Sequence, residues 1–426
     1  MITRFSVGRA LGIALVGATA LSFVGPAAAA NYNWLTARGT DSGTVKAVLA
    51  VAEKFKATHP DFGITVEAIP DRPAYLQKVK ILATGNQLPD LFDADAEPYF
   101  ADIVANGLVA NVGAILDEVG ITDKFYKFAL DYERLDDGSL YLIPFEANTE
   151  YFWYHPSMFE KAGIEVPKTL DGILEACSKL KAAGLTPVSV DGKDGWPIYR
   201  YLSFPAFRET GNQFLEQLKA GEVQMNSEVG LASAKYLQDM GSSCFQQGFA
   251  TANYTDALNL FTSGQAAIYY MGTWEIGTMT NPDGTLKDDV AFFTLPVIDG
   301  KTATKPTDFY AHSGIGTAIK AGSDTAELKE FLKFLADNFG DAALYDNKFM
   351  PSIKPTIRPD LAEIYKRALS DIEQVGTYVK VWDVKLDANT VDVLYRQSQL
   401  LALGEITPEQ FAAEIDTSIQ QYVSSR

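Results

Sequence analysis

The stretch NYNWLTARGTDSGTVKAVLAVAEKFKATHPDFGITVEAIP, Asn31 to Pro70, decides the fold class. YNWLT reads as a strand and ARGTDSG as a loop. In TVKAVLAVAEKFKATHP, Val45, Val48, Leu49, Ala52 and Phe55 share one helical face, and the helix ends before Pro60. ITVEAIP is a second alternating strand. Beyond it, AYLQKVKILATGNQ reads as a helix closed by Gly85, and LPDLFDAD as a short strand opening onto acids. Strand, helix, strand, helix, strand is the pattern of an α/β layered domain with a largely parallel sheet. Ligands of such sheets bind beyond the carboxyl ends of the strands. That rule singles out the loop carrying Arg38 and Asp41 and the turn carrying Asp93 and Asp95.

The texture changes at DDGSLYLIPFEANTEYFWYHPSMFEKAGI. Asp137-Gly138 makes a turn, Tyr141 to Phe145 a strand, and Tyr151 to Tyr154 an aromatic strand. TLDGILEACSKLKAAG and GLASAKYLQDMG then read as helices of a second α/β lobe, and DVAFFTLPV as a further strand. In SDTAELKEFLKFLADNF a Ser323/Asp324 cap precedes Leu328, Phe331, Leu332 and Leu335 on one face. Thr407 caps the last helix, with Pro408 at its first position. No low-complexity linker separates the lobes, so structured crossings are expected to join them.

A chain of 426 residues, 47% hydrophobic and 21% charged, has core enough for two domains. Arg4 and Arg9 precede the apolar run Ala10 to Val24 and the small-residue end Ala27 to Ala30. This is the pattern of a cleavable secretory signal over residues 1–30. No cysteine lies beside it to take a lipid, so a free periplasmic protein, not inserted in the membrane, is expected. The formal charge of −18 becomes −20 when Arg4 and Arg9 leave with the signal. Such a surface repels nucleic acid and anionic membranes. Of the two cysteines, Cys177 recurs with Leu170, Ile173, Leu174 and Leu180 at helical spacing. A small residue on a buried helix face is the favoured reading; a bridge to Cys244 is the alternative.

Catalytic motifs are missing. His59, His155 and His312 are widely spaced, with no H-x-x-x-H or C-x-x-C pair, so no metal is expected. There is no G-x-S-x-G elbow, GIGTA at Gly314 lacks the third glycine of a dinucleotide loop, and DADAEP at Asp93 lacks the central glycine of a calcium loop. No cofactor is expected. A glycosidase pair drawn from Asp93, Asp95, Glu146 and Glu275 stays open, because carboxylate separation is not written in sequence. A binding site explains more. Sugars present hydroxyl fans and apolar ring faces, which call for flat aromatics beside carboxylates and amides. Trp274 on a turn, Trp196 and Tyr199 in DGKDGWPIYRY, Asp95 and Asn148 all fall where loops follow strands.

LFTSGQAAIYYMGTWEIG, Leu260 to Gly277, carries a resemblance. Phe261-x-x-Gly264-x-Ala266-Ala267 followed by Met271-Gly272-x-Trp274 resembles the F-x-x-G-x-A-A-M…G-x-W segment of ABC-importer solute-binding proteins of the maltose- and oligosaccharide-binding family. LPDLF, DGSLYLIPF with YFWYHPSMFEKAGIEVPKTLDGI, and GEITPEQF fit the same family. His155, Leu170 and Glu146 depart from its usual residues. The resemblance implies the type II periplasmic binding protein fold: two α/β lobes, each a mainly parallel sheet flanked by helices, with a ligand cleft between them. The first lobe is expected over 31–145 and 296–350, the second over 146–295 and 351–426. Crossings are expected near Pro144, Leu295-Pro296 and Met350-Pro351. It further implies a monomeric, non-enzymatic receptor that hands a di- or oligosaccharide to an ABC permease. Arg38, Asp41, Asp93, Asp95, Glu146, Asn148, Trp196, Tyr199, Trp274 and His312 would line the cleft, Trp274 stacking on a sugar ring. The alternatives are a receptor for a charged small solute held by Arg38, Arg200 and His312, and a secreted carbohydrate-active enzyme.

Overall fold

The computed structural model describes residues 31–374 and 376–425; the expected signal, residues 1–30, lies outside them. The opening stretch folds as read. β1 (Asn31–Thr36) and β2 (Gly63–Ala68) pair in parallel around the helix Gly43–Phe55, which buries Val45, Val48, Val51, Ala52 and Phe55. Ser42 caps that helix by accepting from the Val45 amide. β3 (Leu91–Ala94) lies parallel to β1 on its other side.

The remaining strands are β4 (Leu142–Ile143), β5 (Asn148–Tyr154), β6 (Thr186–Ser189), β7 (Ala266–Gly272), β8 (Ala291–Phe293), β9 (Ala311–His312) and β10 (Gly316–Ile319). One sheet runs β2-β1-β3-β10-β4; the other runs β6-β7-β5-β8, with β9 added to β5. The expectation of mainly parallel sheets needs correction. β10 is antiparallel to both β3 and β4, and β5 is antiparallel to β7, β8 and β9, leaving β6–β7 as the parallel pair of the second sheet. Alternation within a strand reports which face is buried, not the direction of its neighbour.

The second crossing also lies later than the sequence suggests. Phe309, Tyr310 and Ala311 are buried, and His312 pairs with Asn148 of β5, so the chain leaves the second sheet only at residues 313–315. The first and third crossings are laced together. Ala147 donates its amide to Met350 at 3.0 Å, Ser352 donates its amide to Phe145 at 3.0 Å, and the Ser352 hydroxyl reaches the Pro144 carbonyl at 2.6 Å.

Two smaller expectations shift. The helix Ala326–Asp341 is capped by Thr325 rather than by Ser323 or Asp324, whereas Thr407 and Gln410 form a reciprocal capping box at Pro408–Ser424. Cys177 and Cys244 are bonded, with Cα atoms 5.1 Å apart. Both side chains are indeed buried, but helices Leu170–Ala182 and Glu228–Ser243 pack so that the two thiols meet.

Candidate functional site

At the carboxyl end of β1, Arg38 folds back into the protein. Its guanidinium donates to Asp93 at 2.8 Å, to Glu146 at 3.2 Å and to the Ile315 carbonyl. Burial pushes its pKa down, but Asp93 and Glu146 more than offset this and hold the charge on. Asp93 accepts from the Trp34 indole, the hydroxyls of Thr36 and Thr317 and the Ala37 amide besides Arg38. Five donors on two oxygens of a side chain 1% exposed leave nothing for a ligand. Asp93 is therefore an anchor for the β1 loop, not a contact residue.

Glu146, at the first crossing, also accepts from the Thr44 hydroxyl at 2.8 Å and from the Asn148 amide at 2.9 Å. Asn148 in turn accepts from the Thr273 hydroxyl at 3.1 Å, which ties the crossing to the turn that bears Trp274. The next residue on the same face of β5 is Glu150. It takes Arg200 at 3.1 Å and has His312 Nε2 3.3 Å away. His312 Nδ1 accepts from the Gly314 amide at 3.1 Å, so a neutral His312 carries its proton on the nitrogen facing Glu150. Burial pushes Glu150 up, yet Arg200 and then His312 bring it below the ordinary carboxylate range. Asp383 adds a second carboxylate 3.9 Å from Arg200 and accepts from Tyr199 at 2.7 Å and Tyr395 at 2.6 Å.

Three rings make a wall over this polar base. Trp274 lies 5.3 Å from His312 and 6.1 Å from Trp196, centroid to centroid, and Arg200 sits 5.3 Å over Trp196. Trp196 and Trp274 are half-buried, so each keeps ring surface to offer. The strand that delivers Trp274 is fully buried, and the ring folds back over Gly272. A Cβ built on Gly272 would stand 1.9 Å from the ring, so only glycine admits that pose. The indole N–H donates to the Tyr254 hydroxyl at 2.9 Å, and Tyr254 donates to Glu275. Gly272→Ala should expel the ring at about 1–3 kcal/mol of stability, visible as a changed tryptophan band in near-UV circular dichroism. An unchanged band would show that the ring does not rest on the glycine.

Eight of the ten expected site residues thus form one connected cluster: Arg38, Asp93, Glu146, Asn148, Trp196, Tyr199, Trp274 and His312. Asp41 is exposed on the loop after β1, apart from the cluster, and Asp95 pairs with Arg72. Arg200, expected only for a charged ligand, is neutralised from within the protein. Sequence reading missed Glu150, Tyr254, Asp383 and Tyr395; Glu150 sits inside an aromatic strand, Tyr254 opens the helix just before β7, and Asp383 and Tyr395 reach the cluster from helices late in the chain.

A family profile described as bacterial extracellular solute-binding protein matches residues 40–340, well over half of the chain. The multiple sugar-binding protein of Streptococcus mutans is 24% identical over 283 residues, 62% of this chain and 65% of that protein. The maltotriose-binding protein of Pyrococcus abyssi is 26% identical over 254 residues, 59% of this chain and 51% of that protein. Less than two thirds of the length of each of these relatives is matched. Among solved structures, a chitin oligosaccharide binding protein superposes with a TM-score of 0.81 at 22% identity, over 93% of this chain and 100% of that one. The fold is shared across that distance, and no helix among the described residues is long and apolar enough to cross a membrane. With two sheets joined by paired crossings and the profile running through both, the chain belongs to the bacterial extracellular solute-binding protein family.

Proposed function

We propose that the protein is the substrate-capturing component of an ABC importer and that its ligand is a neutral carbohydrate, a di- or oligosaccharide. It would act in the periplasm after removal of residues 1–30, as a monomer, and would do no covalent chemistry. The observation that carries the ligand class is the half-buried pair Trp196 and Trp274 above a base whose arginines are already matched by carboxylates. Flat rings suit apolar sugar faces, and the Glu146 carboxylate suits hydroxyl donors. An anionic ligand would meet Glu146, Glu150 and Asp383 with no spare cation among them. The names of the relatives support the same class. In this reading the first lobe comprises 31–145 and 316–350, the second 146–312 and 351–425, and the lobes close on the sugar about the crossings.

The test is a fluorescence titration of residues 31–426 with neutral and acidic saccharides, followed by chromatography of the recovered sugar. Saturable, salt-insensitive binding of a neutral sugar returned intact is expected. Trp274→Ala should weaken that binding by about 1–3 kcal/mol, roughly five- to 150-fold. Unchanged affinity would remove Trp274 from the site, and a cleaved sugar would make the protein an enzyme.

A further inference from the structure

A cavity of about 580 Å³ lies between the 131–136 segment and the helices Gln213–Lys219, Trp382–Lys385 and Pro408–Ser424. Neither tryptophan of the ring wall lines it. Its size falls within the roughly 300–1,000 Å³ of small-molecule sites. Its charges do not cancel. Lys219 pairs with Asp136, Lys380 with Glu216 at 2.5 Å, and Arg134 with Asp131 at 3.5 Å. Lys385 pairs with no carboxylate among the described residues. It is 6% exposed, and its contact is a long 3.4 Å bond to the Ala96 carbonyl.

A buried ammonium in that state is costly. Burial first, and then the neighbouring Lys380 and Lys219, push the Lys385 pKa down, against the pull of Asp136 and Glu133. Glu133 does little to compensate at neutral pH. Its carboxyl is fully buried against the Ser313 hydroxyl, and burial pushes it up to about 8. In a chain with formal charge −18, a cavity with a surplus of positive charge is an inversion. Tyr132 and Tyr378 add phenol groups to the same walls.

We propose that this cavity is a second binding site, which takes a small oxyanion, phosphate or carboxylate, on Lys385 with Lys219 and Lys380 beside it. An oxyanion there accepts charge-assisted hydrogen bonds from ammonium groups that otherwise repel one another. The site differs from the sugar-facing cluster but shares a helix with it. Trp382–Lys385 presents Asp383 to Tyr199 and Tyr395 on one side and Lys385 to the cavity on the other.

The experiment is a thermal-unfolding titration of sugar-free protein, residues 31–426, with inorganic phosphate and separately with acetate, ionic strength held constant with sodium chloride. A saturable rise in Tm with either anion is expected, and the anion that gives it names the class. Lys385→Met should abolish the rise while leaving the anion-free protein at least as stable as the wild type. Lys380→Gln, at a half-exposed position that keeps the fold, should require about five- to ten-fold more anion. No saturable rise with either anion, or an equal rise in wild type and both variants, would overturn the site. No sugar enters the assay, so its outcome is independent of the carbohydrate reading.

Discussion

Arg200→Met should destabilise the protein by about 3–5 kcal/mol, the cost of breaking a buried ion pair from one side. Arg200 is 5% exposed and Glu150 1%, so water cannot replace the lost partner. Methionine fills much of the volume, and the loss is therefore electrostatic rather than a cavity. The deficit should depend on pH in a defined direction. In the wild type, Arg200 and His312 hold Glu150 below its unfolded value, so its contribution is present at neutral pH and is lost as pH falls through the carboxylate range. In the variant, folding leaves Glu150 buried without its arginine and favours proton uptake by Glu150. The native state then binds more protons than the unfolded one, and the deficit shrinks as pH falls from 8 to 6. Urea midpoints of both proteins at the two pH values measure this. A deficit under about 1 kcal/mol, or one that grows on acidification, would show that the pair is not what neutralises Glu150.

Cys177→Ala with Cys244→Ala should cost about 2–4 kcal/mol, because the bond closes a loop of 67 residues in the unfolded chain. The loop holds helix Trp196–Thr210 and the whole of helix Glu228–Ser243, so the constraint acts on the core of the second sheet's helices. Both sulfurs are 0% exposed, so the native protein should resist reductant until it opens. Urea unfolding in the presence and absence of reductant gives the comparison. The reduced wild type should converge on the double variant; coincident curves for oxidised and reduced wild type would mean the bridge carries no stability.

Much of this was legible locally. The helix from Gly43, its stop before Pro60, the strand from Gly63 and the Thr407–Pro408 start follow from periodicity and caps, which are properties of neighbouring residues. What failed was non-local. The antiparallel pairing of β5 with β7 joins residues more than a hundred positions apart, and the Cys177–Cys244 bond depends on how two helices stack. The site divides in the same way. Trp274 was readable because its glycine, turn and strand are adjacent in sequence, whereas its hydrogen-bond partner Tyr254 lies at the start of the preceding helix, 20 residues away, with no adjacent residue to mark it. Asp93 misled because DAD resembles an exposed acidic turn. In fact Asp93 is the third residue of a four-residue strand whose neighbours all turn donors toward it.

The place of β10 in the first sheet has a consequence for biosynthesis. Among the described residues β10 alone joins β4 to β3, and it is encoded 173 residues after β4 ends, at Gly316 against Ile143. Until residue 319 has left the ribosome, the first sheet has an open edge at β3 and β4 has no place in it. So late a long-range contact delays completion of the native sheet. A nascent chain that cannot close its first lobe stays threadable, and a polypeptide destined to cross a membrane must remain threadable for most of its synthesis.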